Sequence, residues 1–259
     1  MTAVDARDAE PRELFPVAPP VEDGPPLDGW SRFERAIEAM WWGLRLSFCA
    51  AVAMAPLVVA LGLLRPSPDI AWVFAVAALS AGPALSAALY AVREHYSAPD
   101  RGVVGSFWHG WRLNAGAALA IVAPVGLVIG VALPLLGTES AEASVVVARG
   151  AAVGVCAIAS VGVVHALALV SFFHVSWWSV ARLGGFYLVA AWRSTLALLV
   201  MAALVMAAGL LLTVFACAVL LGPLVWLWYR AEVPMLRNAA ERFFPPGGAE
   251  PSMASQPHP

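Results

Sequence analysis

Charged side chains are scarce in this sequence. They make up only 12% of its 259 residues, whereas hydrophobic side chains make up 61%, and all fifteen basic residues are arginine because lysine is absent. Ordinary soluble domains carry about 25% charged and about 45–50% apolar residues. A soluble chain with so few charges could not cover its own surface with polar groups. The composition therefore indicates an integral membrane protein.

Cysteines and catalytic motifs are scarce as well. Cys49, Cys156 and Cys217 are far apart, lie in apolar runs and form no Cys-x-x-Cys pair, which favours small hydrophobic side chains over a disulfide framework. The sequence contains no nucleotide-binding glycine loop, no G-x-S-x-G and no H-E-x-x-H. We therefore predict that the protein is not an enzyme, that it uses no cofactor or metal, and that it does not bind nucleic acid.

Long apolar runs occupy most of the chain. A membrane-spanning helix needs about 20 mostly apolar residues, and four runs separately meet that length. The last apolar run, residues 195–229, contains 35 residues. As one helix it would exceed about 50 Å, whereas the hydrocarbon core is about 30 Å thick, so it must divide into two spans. The predicted spans are residues 44–64, 70–92, 115–136, 150–173, 194–212 and 215–229.

The arginines set the predicted topology. Cytoplasmic loops collect arginine close to the spans. With the N-terminus inside, eight arginines lie near the inner ends of the first five spans and two lie in the outer loops. Arg230, Arg237 and Arg242 join the inner side only if the chain has six spans. We therefore predict an all-α polytopic membrane helix bundle of about six transmembrane helices, in the cell membrane, with both termini cytoplasmic.

Polar segments flank this membrane domain, residues 30–244. Residues 1–29 form an acidic tail rich in proline, and residues 245–259 form a second polar tail; both are predicted to be disordered. Three further segments carry aromatic residues at helical spacing beside arginine, which suits cytoplasmic helices that lie on the membrane surface. These segments are residues 31–44, 103–111 and 177–193. Alternatively, they pack on one another as a cytoplasmic cap.

The interiors of the predicted spans contain few polar groups. No Asp or Glu falls within them, which counts against an ion-coupled transporter because intramembrane carboxylates mark proton relays. His165 is the one ionisable residue deep in a span, and a lone histidine there is more often hydrogen-bonded to a neighbouring helix than functional. Prolines interrupt four of the six predicted spans, and we expect the Gly82-Pro83 pair to kink or break the second one.

A motif occupies residues 82–119. It combines Gly-Pro-Ala, Ala-Leu-Tyr, a charged loop and Phe-x-x-x-Trp-Arg-x-Asn, and it resembles the YesL-like bacterial integral membrane proteins, a family named for a domain of unknown function. The resemblance implies about six spans and an association with genes for carbohydrate import, and so a membrane-protein partner such as an ABC importer. The candidate interaction residues of this motif are Gly82, Pro83, Tyr90, Phe107, Trp108, Trp111, Arg112 and Asn114.

Two interpretations of the motif remain open. In the first it anchors the chain: Trp111 lies at headgroup depth, Arg112 pairs with lipid phosphate, and Asn114 caps the third span. In the second, the same surface docks a cytoplasmic partner, since Trp and Arg are enriched at binding hot spots.

We expect the protein to be a non-enzymatic accessory or assembly factor whose first partner is the lipid bilayer and whose second is an importer. The alternative is a small-molecule facilitator or channel with a path beside Pro83 and Pro124. A packed interior of Gly, Ala and Leu would favour the accessory role. A polar, water-filled path between the spans would favour the facilitator.

Overall fold

The computed structural model describes residues 29–65, 67–97, 101–136, 142–173, 177–211 and 214–243, and those residues form helices and short connections without a β-strand. The two predicted disordered tails lie outside this range, apart from Gly29. In chain order the helices are α1 (Gly29–Ala53), α2 (Ala55–Leu63), α3 (Ala71–Ala78), α4 (Ala81–Ser97), α5 (Gly102–Leu136), α6 (Ala143–Phe172), α7 (Trp177–Ala190), α8 (Trp192–Leu211) and α9 (Val214–Phe243). The predicted all-α helix bundle is confirmed.

Several of these helices suit a membrane. Three helical stretches are long and apolar enough to cross it, namely Trp72–Tyr96, Gly102–Ala132 and Ala143–Phe172, and the number rises to five if each of two bent helix pairs forms one span. The last apolar run does divide into two helices, α8 and α9, and the turn expected between them falls at residues 212–213, outside the described residues. The total of six spans stays a prediction.

Prolines explain two of the helix breaks, whereas α5 and α9 continue through Pro124 and Pro223. Pro83 has no N–H to bond the carbonyl of Leu79, four residues earlier, and its ring clashes with that carbonyl. The helix is interrupted at Leu79–Ser80, and Leu79 O instead accepts a hydrogen bond from Gly82 N–H at 3.3 Å. The predicted break near Gly82-Pro83 is thus confirmed. Pro56 acts in the same way at Met54, where α1 and α2 meet at 78°.

For two of the three expected surface helices the prediction of a separate helix is wrong, because each is the first part of a longer helix. Residues 103–111 form the start of α5, and residues 31–44 form the start of α1, without a break before the apolar run that follows. Neither junction contains a proline, so the backbone hydrogen bonds continue through it. Asn114 consequently lies within α5 and is not its N-cap. Residues 177–190 do form a separate helix, α7, bent by 93° from α8.

Small side chains let the helices approach closely around α4, which packs against α1, α5, α6 and α9. The alanines of α4 that face its neighbours have almost no exposed surface: Ala84, Ala87, Ala88 and Ala91. Long apolar side chains such as Leu127 on α5, Val147 on α6 and Val200 on α8 remain exposed. An apolar surface of this kind suits hydrocarbon, where close packing of small residues holds helices together.

A hydroxyl joins α1 to α9 where another proline interrupts the hydrogen bonds. Pro223 leaves the carbonyl of Val219 without its usual donor. Ser47 Oγ donates to that carbonyl at 2.7 Å and accepts from Gly222 N–H at 2.7 Å. The crossing requires glycine at 222, because a Cβ there would collide with the carbonyl oxygen of Gly43. Backbone groups freed within a bilayer must find partners inside the protein, and Ser47 supplies one.

We predict that Gly82→Leu will lower the melting temperature and folded yield in detergent. A Cβ at position 82 would lie 2.6 Å from Val122 Cγ2 across the α4–α5 interface, and overpacking of this kind typically costs about 1–3 kcal/mol. The matched control is Gly116→Leu on α5, where nothing lies within 4 Å of the added Cβ. Equal melting temperatures for the two variants would contradict the helix packing described above.

Candidate functional site: a buried histidine–glutamate pair

Two ionisable side chains meet inside the bundle. His165 on α6 and Glu232 on α9 have no exposed side-chain surface, and His165 Nδ1 lies 2.9 Å from Glu232 Oε1 and 3.1 Å from Oε2. Moving one isolated charge into an apolar interior costs several kcal/mol. The two groups are stable there only because they compensate each other.

Further hydrogen bonds fix the protonation of the ring. His165 Nε2 lies 3.0 Å from Thr195 Oγ1 on α8, and that hydroxyl donates to Leu188 O at 3.0 Å. A carbonyl can only accept, so the single proton of the hydroxyl points at Leu188 and its oxygen accepts from Nε2–H. One further proton is then shared between Nδ1 and the carboxyl group. In either position of that proton the pair has no net charge.

The carboxyl group has a second donor and a tightly packed neighbourhood. Trp228 Nε1–H, one helical turn earlier on α9, donates to Glu232 Oε1 at 3.3 Å. Beside it the Tyr229 ring stacks on Phe172 of α6 with centroids 5.9 Å apart. The pair itself has no exposed side-chain surface, and a low-dielectric environment of this kind strengthens its hydrogen bonds. No group of three potential metal ligands occurs within the described part of the chain, so proton sharing is the chemistry that this arrangement offers.

The sequence interpretation missed Glu232. Its position two residues after Arg230 suggested the aqueous side of the last span, but α9 continues to Phe243. One signal was available: Tyr229, Val233 and Leu236 recur at helical spacing, and Glu232 lies in that same stripe. Arg230 lies on the opposite face and is exposed. The expectation that His165 hydrogen-bonds a neighbouring helix is confirmed. The predicted spans do lack carboxylates, but Glu232, three residues beyond the last of them, is buried inside the bundle.

The motif residues lie elsewhere, mostly at the α4–α5 interface. Gly82, Pro83, Tyr90 and Phe107 are buried there. A Cβ at Gly110 would lie 2.7 Å from the Tyr90 ring, which shows how closely α5 crosses that side chain. Most of the motif therefore holds two helices together.

The rest of the motif follows on α5. Trp108 and Trp111 are partly buried, pack against the core and contact each other edge to face at 5.9 Å. Asn114 is buried, and its Nδ2 has no hydrogen-bond partner within the described residues. Arg112 is exposed. Of the eight candidate residues, Arg112 is thus the one whose side chain is fully available to a ligand or partner.

We predict a strong energetic coupling between His165 and Glu232. His165→Leu leaves a buried carboxyl without its compensating base, and breaking a buried pair in this way costs about 3–5 kcal/mol. The double variant His165→Leu, Glu232→Leu should be more stable than the sum of the two single changes implies. Thermal unfolding in detergent measures all four proteins of this double-mutant cycle.

Ser171→Ala supplies the control for that cycle. Ser171 lies on the same helix and shares a buried hydrogen bond of 2.8 Å with Ser86 on α4. Its loss should cost about 1 kcal/mol and should not couple to Glu232→Leu. Additive effects for His165 and Glu232 would show that the pair contributes no mutual stabilisation.

Comparison with known proteins adds no relative. No family model, no curated protein and no solved structure matches this chain. The resemblance to YesL-like proteins therefore rests on the motif in residues 82–119, and function has to be argued from the contacts of this molecule.

Proposed function

We propose that the chain is a non-enzymatic accessory or assembly factor of the bacterial cell membrane that works beside a carbohydrate importer of the ABC type. The observation that carries this proposal is the packed interior. The faces of α4 that a transport path would line are filled by alanines in direct contact with α1, α5, α6 and α9. Transport sites instead lie in cavities where helices are unwound and polar groups are available.

The surface that we assign to a partner is the exposed part of α5 next to the motif. His109 and Arg112 are exposed there, beside the half-buried Trp108 and Trp111. Arginine and tryptophan at a rigid helical surface are frequent anchors of protein interfaces. Because the buried part of the motif fixes α5 against α4, this surface is presented on a rigid support.

A second candidate function is a facilitator that moves protons or a small solute. The His165–Glu232 pair favours it, because ionisable groups buried in membrane domains are expensive and commonly lie on ion pathways. The pair joins α6 to α9, whereas the path expected from the prolines would pass Pro83 and Pro124.

The proposed topology has both termini in the cytoplasm, on the basis of the arginine distribution. An alkaline phosphatase reporter, which is active only outside the cytoplasm, should be inactive when fused after Phe244. The same reporter inserted next to Glu139 should be active. Activity at both positions would reduce the number of spans to five and place the C-terminus outside.

Photocrosslinking in cells can separate the two functions. We expect a crosslinker at Arg112 to capture a subunit of a carbohydrate importer, whereas one at Leu127, which is 71% exposed on the same helix, should capture lipid. The charge-retaining variant Arg112→Lys should keep the native melting temperature. With the crosslinker placed at His109 instead, this variant should capture less of the importer subunit than the unmodified sequence does. Sugar or proton flux into liposomes that contain only this chain, together with no importer crosslink, would favour the facilitator.

A further inference from the structure

A groove lined by both polar and apolar side chains lies where α7, α8 and α9 meet. Its volume is about 260 Å³, several times the roughly 30 Å³ that a water molecule occupies in the liquid. The side chains that matter to its chemistry come from all three helices: Tyr187, Trp192, Arg193, Ser194, Asn238 and Arg242.

The groove is positively charged. Arg193 at the start of α8 and Arg242 near the end of α9 both line it, and none of the lining residues that the structure describes is acidic. Among the described residues neither guanidinium forms a salt bridge, and both side chains are exposed. Two cations around one cavity repel each other, so an anion between them would be favoured by both. Guanidinium groups bind phosphate through paired hydrogen bonds.

Neutral donors complete the site. Tyr187 has 1% exposure, and its hydroxyl donates to Asn238 Oδ1 at 3.3 Å, which leaves the amide N–H groups of Asn238 available to a ligand. Ser194 Oγ donates to Ala231 O at 2.8 Å and so ties the first turn of α8 to α9. The walls of the groove are therefore held in place before any ligand binds.

The residues around the groove are of the kind that favours the depth of lipid headgroups. The helical chain turns by 93° between α7 and α8, and from there α8 exposes Leu196, Leu199 and Val200 as an apolar surface. Trp192, at the turn, is 58% exposed, and Arg193 lies over its ring at 5.5 Å. Tryptophan favours the membrane interface, where lipid phosphates also lie.

We propose that this groove binds the phosphate of an anionic phospholipid, a binding site that is separate from the partner surface on α5. We expect a ligand with a net negative charge, because the described lining residues include two arginines and no carboxylate that could pair with the ammonium group of a zwitterionic lipid. The bound lipid ties α7 and α8 to α9 at the membrane surface. Free phosphate has the same recognition chemistry, so the experiment must distinguish the two sources.

The full-length protein in detergent, titrated with short-chain phosphatidylglycerol, phosphatidylcholine or inorganic phosphate, provides the test. Phosphatidylglycerol should raise the melting temperature and appear as a single bound molecule in native mass spectrometry. Phosphatidylcholine should do neither. We expect Arg193→Gln, Arg242→Gln to weaken phosphatidylglycerol binding at least tenfold. The control Arg45→Gln, Arg182→Gln removes the same charge from two exposed arginines outside the groove and should keep the binding.

Two outcomes would overturn the proposal. If both double variants lose phosphatidylglycerol affinity equally, lipid binding depends on the net charge of the protein alone. If inorganic phosphate saturates the groove and phosphatidylglycerol does not displace it, the groove binds a free anion. If the glutamine variant does not fold, Asn238→Ala, which leaves both arginines in place, should still lower phosphatidylglycerol affinity severalfold, and unchanged affinity would exclude the groove.

Discussion

Hydrocarbon offers no hydrogen bonds, and this constraint governs how the chain places its polar groups. Each buried donor or acceptor has to find a partner on its own helix or on a neighbouring one, or it remains unsatisfied at a cost of several kcal/mol, an order of magnitude taken from transfer energies. Ser47 meets this requirement for the carbonyl that Pro223 frees on α9. The side chains of His165, Thr195 and Glu232 lie on three different helices and satisfy one another through hydrogen bonds.

The same polar contacts decide which helices become neighbours. Between apolar helices in a membrane the hydrophobic effect provides little attraction, so packing and hydrogen bonds select the partners. Small residues allow α4 to touch four helices at once, and the Ser86–Ser171 and His165–Glu232 contacts then fix α6 against α4 and α9. A rigid core built in this way presents Arg112 on α5 and the groove beside Arg193 as two separate surfaces, for which we propose a protein partner and a lipid.

Among the described residues, the ionisable pair inside the bundle is His165 and Glu232, which share one proton. Because the His165–Glu232 pair is neutral in either protonation form, it is tolerated in a low-dielectric interior where a single charge would not be. Its role in holding α6, α8 and α9 together accords with the accessory function that we propose. The resemblance carried by residues 82–119 concerns a different part of the molecule, where Tyr90 and Phe107 hold α4 against α5.

The sequence by itself determined the membrane class, the division of the last apolar run and the break ahead of Pro83, because composition, length and proline act locally. The sequence correctly predicted α7 as a separate helix. It also predicted boundaries within α1 and α5, at positions where no residue interrupts the observed helix. Only the tertiary structure decided that Glu232 lies inside the bundle, that most of the motif is buried, and that Arg193 and Arg242 share a groove. These features depend on which helix faces meet, and residues 67 positions apart, such as His165 and Glu232, leave no periodic signal of their contact.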